Sequence, residues 1–244
     1  MKQNQIVFIL DAGNTSLKLG VFQDDSLIKM VRFNYSELSN LDYLYKEYDK
    51  PIVFISSVLK NDETTLIRSR FDNSLVFERN NFKLPIELNY QSPTLGVDRI
   101  CNVIAANHEV KDKNAVVIDI GTCIKFDFVN KLGVYQGGSI SPGINLRYKS
   151  MNDYTGNLPL INETSPISII GNSTNDSLHS GVINGIKSEI QGFISQYEAL
   201  FDDLTFFMTG GDAKYFDFPL KNNIFVDENL TLKGLYLIHK LNAK

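Results

Sequence analysis

Three short segments combine glycine with aspartate and hydroxyl side chains, and these residue types suit the binding of phosphate. They are Asp11-Ala12-Gly13-Asn14-Thr15, Asp119-Ile120-Gly121-Thr122 and Thr209-Gly210-Gly211-Asp212. Each follows an apolar run that predicts a buried strand, so each is placed at the end of a strand. A tight turn with glycine exposes backbone N–H groups, and nearby Asn and Thr side chains add donors for phosphate oxygens. An aspartate beside such a turn can hold a cation that offsets phosphate charge.

A single Asp-x-Gly segment is more often a simple tight turn than a binding site. Two copies followed by Gly210-Gly211, in this order and spacing, favour a phosphate site instead. Two such turns that face each other would hold a triphosphate from both sides. The Gly-Gly pair would let a purine lie flat against the backbone. The set therefore predicts a nucleotide-binding protein.

The elements that carry these segments are predicted twice along the chain. Residues 6–33 and residues 116–140 share the order strand, Asp-x-Gly turn, strand, turn, strand. Two copies separated by roughly a hundred residues predict two similar domains, which we place at residues 1–112 and 113–244. Apolar residues that recur every three or four positions predict helices, and further apolar runs predict strands. The helices are predicted over 38–48, 62–71, 99–108, 178–197 and 232–241, the further strands over 52–56 and 205–208, and a long functional loop over 80–98.

Composition excludes several classes of function. The 244 residues are 43% hydrophobic and 21% charged, which is typical of a folded globular protein. Lys and Arg number 24 against 28 Asp and Glu, so no basic excess favours nucleic acid as a partner. The longest apolar run, Ile6–Leu10, is too short for a membrane span or a signal peptide, so we expect a cytoplasmic protein. Cys101 and Cys123 lack the spacing of metal ligands, and we expect reduced thiols and no zinc site.

Longer motifs extend this pattern over nearly the whole chain, and with them the sequence resembles the type III pantothenate kinases. These belong to the superfamily of acetate kinase, sugar kinases, actin and the Hsp70 chaperones. The matching stretches, besides the three segments above, are Leu95-Gly96-Val97-Asp98-Arg99, Gly137-Gly138-Ser139-Ile140-Ser141-Pro142-Gly143, Thr155-x-x-Leu158-Pro159 and Gly171-x-x-Thr174 followed by Gly181. The Gly-x-Asp-Arg and Gly-Gly-x-Ile-x-Pro-Gly motifs are specific to the family, whereas the Asp-x-Gly turns occur across the superfamily.

The resemblance implies an α/β fold with two ribonuclease-H-like, actin-like ATPase domains around a central nucleotide cleft. It implies transfer of the γ-phosphate of ATP to the 4′-hydroxyl of pantothenate, the first step of coenzyme A biosynthesis, with Mg²⁺ accompanying ATP. The ATP phosphates are expected on Asp11, Ala12, Gly13, Asn14, Thr15, Ser16, Leu17 and Lys18, with Thr122 in contact from the other domain. Asp119 matches the family's ligand for a monovalent cation, K⁺ or NH₄⁺; a turn aspartate that caps backbone is the alternative.

For the acceptor substrate, the resemblance makes Asp98 the general base, within a substrate loop that includes Gly96 and Val97. An aspartate can orient and deprotonate the attacking hydroxyl. Arg99 can hold a carboxylate in a two-pronged grip, and pantothenate carries one carboxylate. The alternative is an Asp-Arg pair at a helix start, where an acid suits the dipole. Tyr90 and Thr174 match substrate contacts, although Thr174 would also serve as a helix N-cap.

In the family, substrate residues come from both subunits of a homodimer, which makes the helix predicted at 178–197 a candidate dimer element. Its apolar stripe is more often plain core. Lys125 departs from the family, which more often has small residues and threonine there: it is either exposed on its strand or alters ATP and cation contacts. Arg147, after Pro142-Gly143, has a side chain that suits substrate binding, but we do not assign it that role from the resemblance. Two other functions stay open, a kinase for a different small molecule and a nucleotide-binding regulator without catalysis.

Overall fold

The computed structural model describes residues 5–216 and 223–243, which form an α/β protein with two sheets. The strands are β1 (Ile6–Ala12), β2 (Leu17–Gln23), β3 (Ser26–Phe33), β4 (Ile52–Ser57), β5 (Ser74–Val76), β6 (Glu87–Leu88), β7 (Asn114–Ile120), β8 (Cys123–Val129), β9 (Val134–Pro142), β10 (Leu204–Thr209) and β11 (Ile224–Val226). The helices are α1 (Leu38–Glu47), α2 (Asn61–Arg68), α3 (Val97–Val110), α4 (Ile144–Asp153), α5 (Thr174–Leu200) and α6 (Leu230–Asn242). Across the described residues, none of the helices combines the length and the apolar character that crossing a bilayer requires.

The chain divides into two compact units, one of which is discontinuous in sequence. The first contains the residues up to His108 and those from Asn229 onward, and the second spans Glu109–Glu228. The C-terminal helix α6 therefore groups with the N-terminal half, whereas the predicted boundary after residue 112 assigns it to the second domain. The reason is close packing of α6 on α3: a Cβ at Gly234 would lie only 1.8 Å from the carbonyl oxygen of Cys101. The Thr231 hydroxyl also donates a buried hydrogen bond to Asn102 Oδ1 at 2.8 Å.

Both units build their sheets on the same plan. In the first, the order is β3-β2-β1-β4-β5, with β1 antiparallel to β2 and parallel to β4. In the second, β9-β8-β7-β10-β11 follows the same order, with β7 antiparallel to β8 and parallel to β10. This arrangement is the ribonuclease-H-like topology that the resemblance implies, so the predicted fold class is confirmed. In each unit the central strand carries the candidate aspartate as its next-to-last residue, Asp11 on β1 and Asp119 on β7.

The strands that carry these aspartates are buried on both faces, which holds the following turns in place. Residues 7–10 of β1 are at most 5% exposed, and residues 115–118 of β7 are fully buried. The long helix α5 packs its apolar stripe into the core of the second unit, through Val182, Ile186, Ile190 and others. The stripe is therefore core, as the simpler interpretation expected, and it is not an open dimer surface.

Candidate active site

The first hairpin turn, between β1 and β2, exposes two polar side chains, while the apolar residues on either side of it are buried. Asn14 and Thr15 are exposed, whereas Ala12 and Leu17 are fully buried, so these two apolar residues can reach a ligand only through backbone atoms. The N–H of Gly13 donates to the carbonyl of Ser16 at 3.1 Å, which closes the turn. Within residues 5–216 and 223–243, the N–H groups of Asn14 and Thr15 have no backbone partner. The turn thus offers the donors that a phosphate group needs.

Tyr35 supports this turn from outside the motif. Its hydroxyl donates a 2.5 Å hydrogen bond to the carbonyl oxygen of Gly13. Burial, together with the smaller effect of the nearby Asp11 and Glu63 carboxylates, raises the pKa of Tyr35 to about 12. The hydroxyl therefore stays protonated at neutral pH and keeps donating to the turn. The sequence pattern does not reveal Tyr35, because it lies 22 residues from Gly13 and is brought back only by the β2–β3 hairpin.

The Gly-x-Asp-Arg motif forms the start of α3, two residues earlier than predicted. The carboxylate of Asp98 folds back so that Oδ1 accepts a hydrogen bond from the N–H of Arg99 at 2.9 Å. A Cβ at Gly96 would lie 2.6 Å from that same oxygen, so only glycine leaves room for this conformation. Arg99 is 5% exposed, and its guanidinium lies over the ring of Tyr90 at 5.7 Å. The structure thus brings Tyr90, Asp98 and Arg99 together, as the sequence analysis expected.

Electrostatics link this helix start to the first hairpin. The thiol of Cys101 is fully buried, and burial raises its pKa well above the usual value. The carboxylates of Asp11 and Asp98 raise it further. Residues of two motifs that are more than eighty positions apart in sequence thus act on the pKa of the same thiol.

The second hairpin turn, between β7 and β8, is packed closely by glycines from two other segments. A Cβ at Gly143 would lie 2.0 Å from the carbonyl oxygen of Gly121, and Gly143 donates its N–H to the carbonyl of Thr122 at 3.0 Å. Gly210 has a φ of +99°, and a Cβ there would lie 2.2 Å from the carbonyl oxygen of Ile120. The Thr-Gly-Gly-Asp segment therefore lies directly beside the Asp-x-Gly-Thr turn, and the Thr122 side chain is exposed.

Lys125 pairs with Asp119 across the same hairpin. The two residues are register partners of β7 and β8, and Lys125 Nζ lies 2.7 Å from Asp119 Oδ2. Only 17% of the Lys125 side chain and 14% of the Asp119 side chain are exposed. The alternative of an exposed Lys125 is therefore wrong. The expected K⁺ or NH₄⁺ on Asp119 does not fit this arrangement, because an ammonium already neutralises the carboxylate and would repel a second cation.

Thr174 and Arg147 lie in the second unit, at the start of α5 and on α4. Thr174 is exposed and is the first residue of α5, while Ser173 is the N-cap, its hydroxyl accepting a hydrogen bond from the N–H of Asp176 at 3.1 Å. The alternative of Thr174 as N-cap is therefore wrong. Arg147 donates from Nε to the carbonyl of Pro142 at 2.8 Å and pairs with Glu189, which also accepts from Ser141. This network ties α4 and α5 to the end of β9.

Sequence comparison decides the family. Residues 7–196 match the family described as type III pantothenate kinase. The chain belongs to the type III pantothenate kinase family. A member from Christiangramia forsetii is 39% identical over 239 residues, which cover 96% of this chain and 98% of the relative. One from Flavobacterium psychrophilum is 37% identical over 235 residues, covering 94% and 97%. The chain is therefore a kinase, and the resemblance to the type III pantothenate kinases is confirmed.

Solved structures agree on the fold. A Campylobacter jejuni chain described as a Baf family transcriptional activator superposes with a TM-score of 0.62 at 24% identity, covering 96% of this chain and 98% of that one. A Listeria monocytogenes chain described as an N-acetylmannosamine kinase superposes with a TM-score of 0.53 at 12% identity, covering 97% and 99%. At these identities the likeness shows the shared fold alone.

Proposed function

We propose that this kinase transfers the γ-phosphate of ATP to the 4′-hydroxyl of pantothenate, giving ADP and 4′-phosphopantothenate. This reaction is the first step of coenzyme A biosynthesis. Membership of the type III pantothenate kinase family supports the proposal. The structural observation that carries it is the start of α3, where Asp98, Arg99 and Tyr90 stand together. One carboxylate for the alcohol and one guanidinium for an acid group match the two functional groups at the ends of pantothenate.

The first hairpin turn is the proposed site of the ATP phosphates. Its exposed Asn14 and Thr15, its backbone N–H groups and the half-buried Ser16 and Lys18 provide donors and one positive charge. We assign Thr122 of the second unit to the same nucleotide. Mg²⁺ enters with ATP as part of the substrate and supplies charge neutralisation on the phosphate oxygens. The protein's own contribution is to orient the nucleotide through these donors.

Asp98 is the proposed general base. Its Oδ1 accepts a hydrogen bond from the N–H of Arg99, which orients the carboxylate at the start of α3. In the proposal, this carboxylate accepts a hydrogen bond from the substrate hydroxyl. As the phosphoryl group moves to the alcohol oxygen, the hydroxyl proton passes to the carboxylate. In the proposal, Gly96 and Val97 form the backbone of the substrate loop. Gly96 also permits the conformation of Asp98, since a Cβ there would collide with Oδ1.

Arg99→Lys is expected to raise the KM for pantothenate by about tenfold, with a much smaller change in kcat. Arginine presents two parallel donors to a carboxylate, and its planar head lies over the Tyr90 ring, which lysine cannot reproduce. Steady-state kinetics at saturating ATP measures both constants. An unchanged KM would show that Arg99 does not hold the substrate carboxylate.

A homodimer, with Thr174 as a substrate contact, is part of the proposal on the grounds of the family resemblance. The apolar stripe of α5 no longer supports it, since that stripe is core. Light scattering behind a sizing column is expected to give about twice the 27.6 kDa of one chain. A particle of single-chain mass at micromolar protein would contradict the dimer.

We also propose a cytoplasmic location.

A kinase assay with a panel of alcohols tests the function as a whole. Pantothenate is expected to be phosphorylated far faster than sugars, glycerol or N-acetylated amino sugars, with one ADP formed for each phosphorylated product. Preference for a different alcohol would identify another small-molecule kinase. ATP binding without phosphorylation of any alcohol would identify a nucleotide-binding regulator. Both results would overturn the proposed reaction.

A further inference from the structure

The carboxylate of Asp119 stands among charges of both signs at the end of β7. Its Oδ2 pairs with the Lys125 ammonium at 2.7 Å. Its Oδ1 faces the Thr-Gly-Gly-Asp segment, where a Cβ at Gly210 would lie only 2.6 Å away. Burial raises the pKa of the Asp212 carboxyl, the Lys214 ammonium opposes that shift, and Asp119 adds to it. Asp119 therefore acts on the pKa of a second carboxyl group and is itself paired with a largely buried ammonium.

Lys125 reaches this position because the hairpin is short. Ile120 pairs with Ile124, so the next register partners outward are Asp119 and Lys125, whose side chains project from the same face. The first hairpin has the corresponding pair, Asp11 opposite Lys18. The two hairpins thus share one feature, a lysine opposite the aspartate near the end of the preceding strand. In the second hairpin, the lysine is held by a close ion pair with little exposure.

We propose that the ε-ammonium of Lys125 is a built-in cation, which does for Asp119 what a bound monovalent ion would do. Without a positive charge there, Asp119 would repel the polyphosphate of an arriving nucleotide. Lys125 supplies that charge covalently, so nucleotide binding needs no added K⁺ or NH₄⁺. Lys125 is in this sense a positioning residue: it acts through Asp119 and the turn that follows. The inference rests on the proposed function only in its use of ATP as the ligand.

The test compares salts at one fixed ionic strength, with choline chloride, NaCl and KCl as the alternatives. The wild-type protein is expected to bind a non-hydrolysable ATP analogue, and to phosphorylate pantothenate, with constants that agree within about twofold in all three salts. Lys125→Thr removes the charge and leaves room for an ion. In choline it is expected to bind the analogue about tenfold to a hundredfold more weakly, and KCl is expected to restore much of that affinity.

Three further variants test whether the effect on nucleotide affinity comes from the charge of Lys125. Lys125→Arg keeps a cation and is expected to stay indifferent to the salt. Lys125→Met keeps most of the side-chain volume without charge, and is expected to bind the analogue weakly in choline. Lys131→Thr removes an exposed lysine just after the same strand, and is expected to behave as wild type in every salt. Calorimetry with the analogue measures each affinity, and circular dichroism verifies that each variant is folded.

The proposal would be overturned if KCl raised the activity of the wild-type protein, or its affinity for the analogue, by tenfold. Lys125 would then not replace the ion. Folded Lys125→Thr with wild-type affinity in choline would overturn it as well, and so would a loss that KCl does not relieve. Should Lys125→Thr fail to fold, an unchanged affinity of Lys125→Met in choline is the overturning result. A failure of the proposed function looks different: nucleotide affinities follow the expected pattern, but pantothenate is phosphorylated in no salt.

Discussion

Replacing Asp98 with asparagine is expected to lower kcat about 10²–10⁴-fold, the usual contribution of a general base, while ATP still binds. Asparagine keeps the size of the side chain, and its Oδ1 can still accept the hydrogen bond from the N–H of Arg99. What is lost is the negative charge and the ability to take a proton. The transition state of phosphoryl transfer is loose, so the base mainly orients the alcohol and accepts its proton late. The loss should therefore fall on kcat.

A matched control separates this role from a helix-dipole effect. Asp62 lies in the first turn of α2, as Asp98 lies in the first turn of α3, and both are in the first unit. Asp62→Asn removes an equivalent favourable interaction with a helix N-terminus, which is worth about 0.3–1 kcal/mol of stability, and should leave kcat unchanged. Steady-state kinetics of both variants decides the matter. If Asp98→Asn retains kcat within about threefold of wild type, Asp98 is not the general base.

The strands that carry the site could be predicted from the sequence because burial on both faces leaves a plain signal. Ile6–Leu10 and Ala115–Ile118 are unbroken apolar runs that end at an Asp-x-Gly turn, and both are strands in the structure. Helix α4 could not be predicted in this way, since it buries only Ile144 and Tyr148 of its ten residues. The edge strands β5 and β11 have three residues each, too few for any periodicity to be recognised.

The position of α6 shows a second limit of sequence reasoning. Two internal repeats favour a division of the chain into an N-terminal and a C-terminal half. Contacts with no local sequence signal place the last helix with the first half instead, namely the buried bond between Thr231 and Asn102 and the close approach of Gly234 to Cys101. Periodicity identifies the apolar face of a helix, but it does not reveal which sheet that face covers.

In the candidate site, too, some contacts could be predicted from the sequence and others could not. The sequence motifs identify the group formed by Tyr90, Asp98 and Arg99, because these residues are close along the chain and their chemistry suits one substrate. The support of the first turn by Tyr35 has no local pattern, and the pairing of Lys125 with Asp119 depends on the exact strand register. A one-residue change in that register would turn Lys125 to the opposite face of the sheet. A long-range or register-dependent contact can therefore be identified only from the three-dimensional structure.

Gly143→Ala is expected to lower the stability of the protein by about 3 kcal/mol or more, at the upper end of the cost of overpacking. The backbone at Gly143 has φ of −77° and ψ of −173°, which alanine adopts without strain. The penalty is steric: the new Cβ would lie 2.0 Å from the carbonyl oxygen of Gly121 and 2.8 Å from that of Thr122. Both obstacles are backbone atoms of the β7–β8 turn, so relief requires that the proposed nucleotide turn moves away from α4.

Thermal unfolding followed by circular dichroism measures the effect, and a loss of 3 kcal/mol corresponds to a melting temperature about 6–12 °C lower in a chain of this size. Gly192→Ala is the matched control, because a Cβ there meets no atom within 4 Å. Gly192 lies inside α5, where alanine is favoured over glycine by about 0.5–1 kcal/mol, so this variant should be slightly more stable than wild type. The same substitution is thus expected to lower the stability of the protein at Gly143 and to raise it at Gly192. Equal melting temperatures for Gly143→Ala and wild type would contradict the close packing of this glycine on the turn.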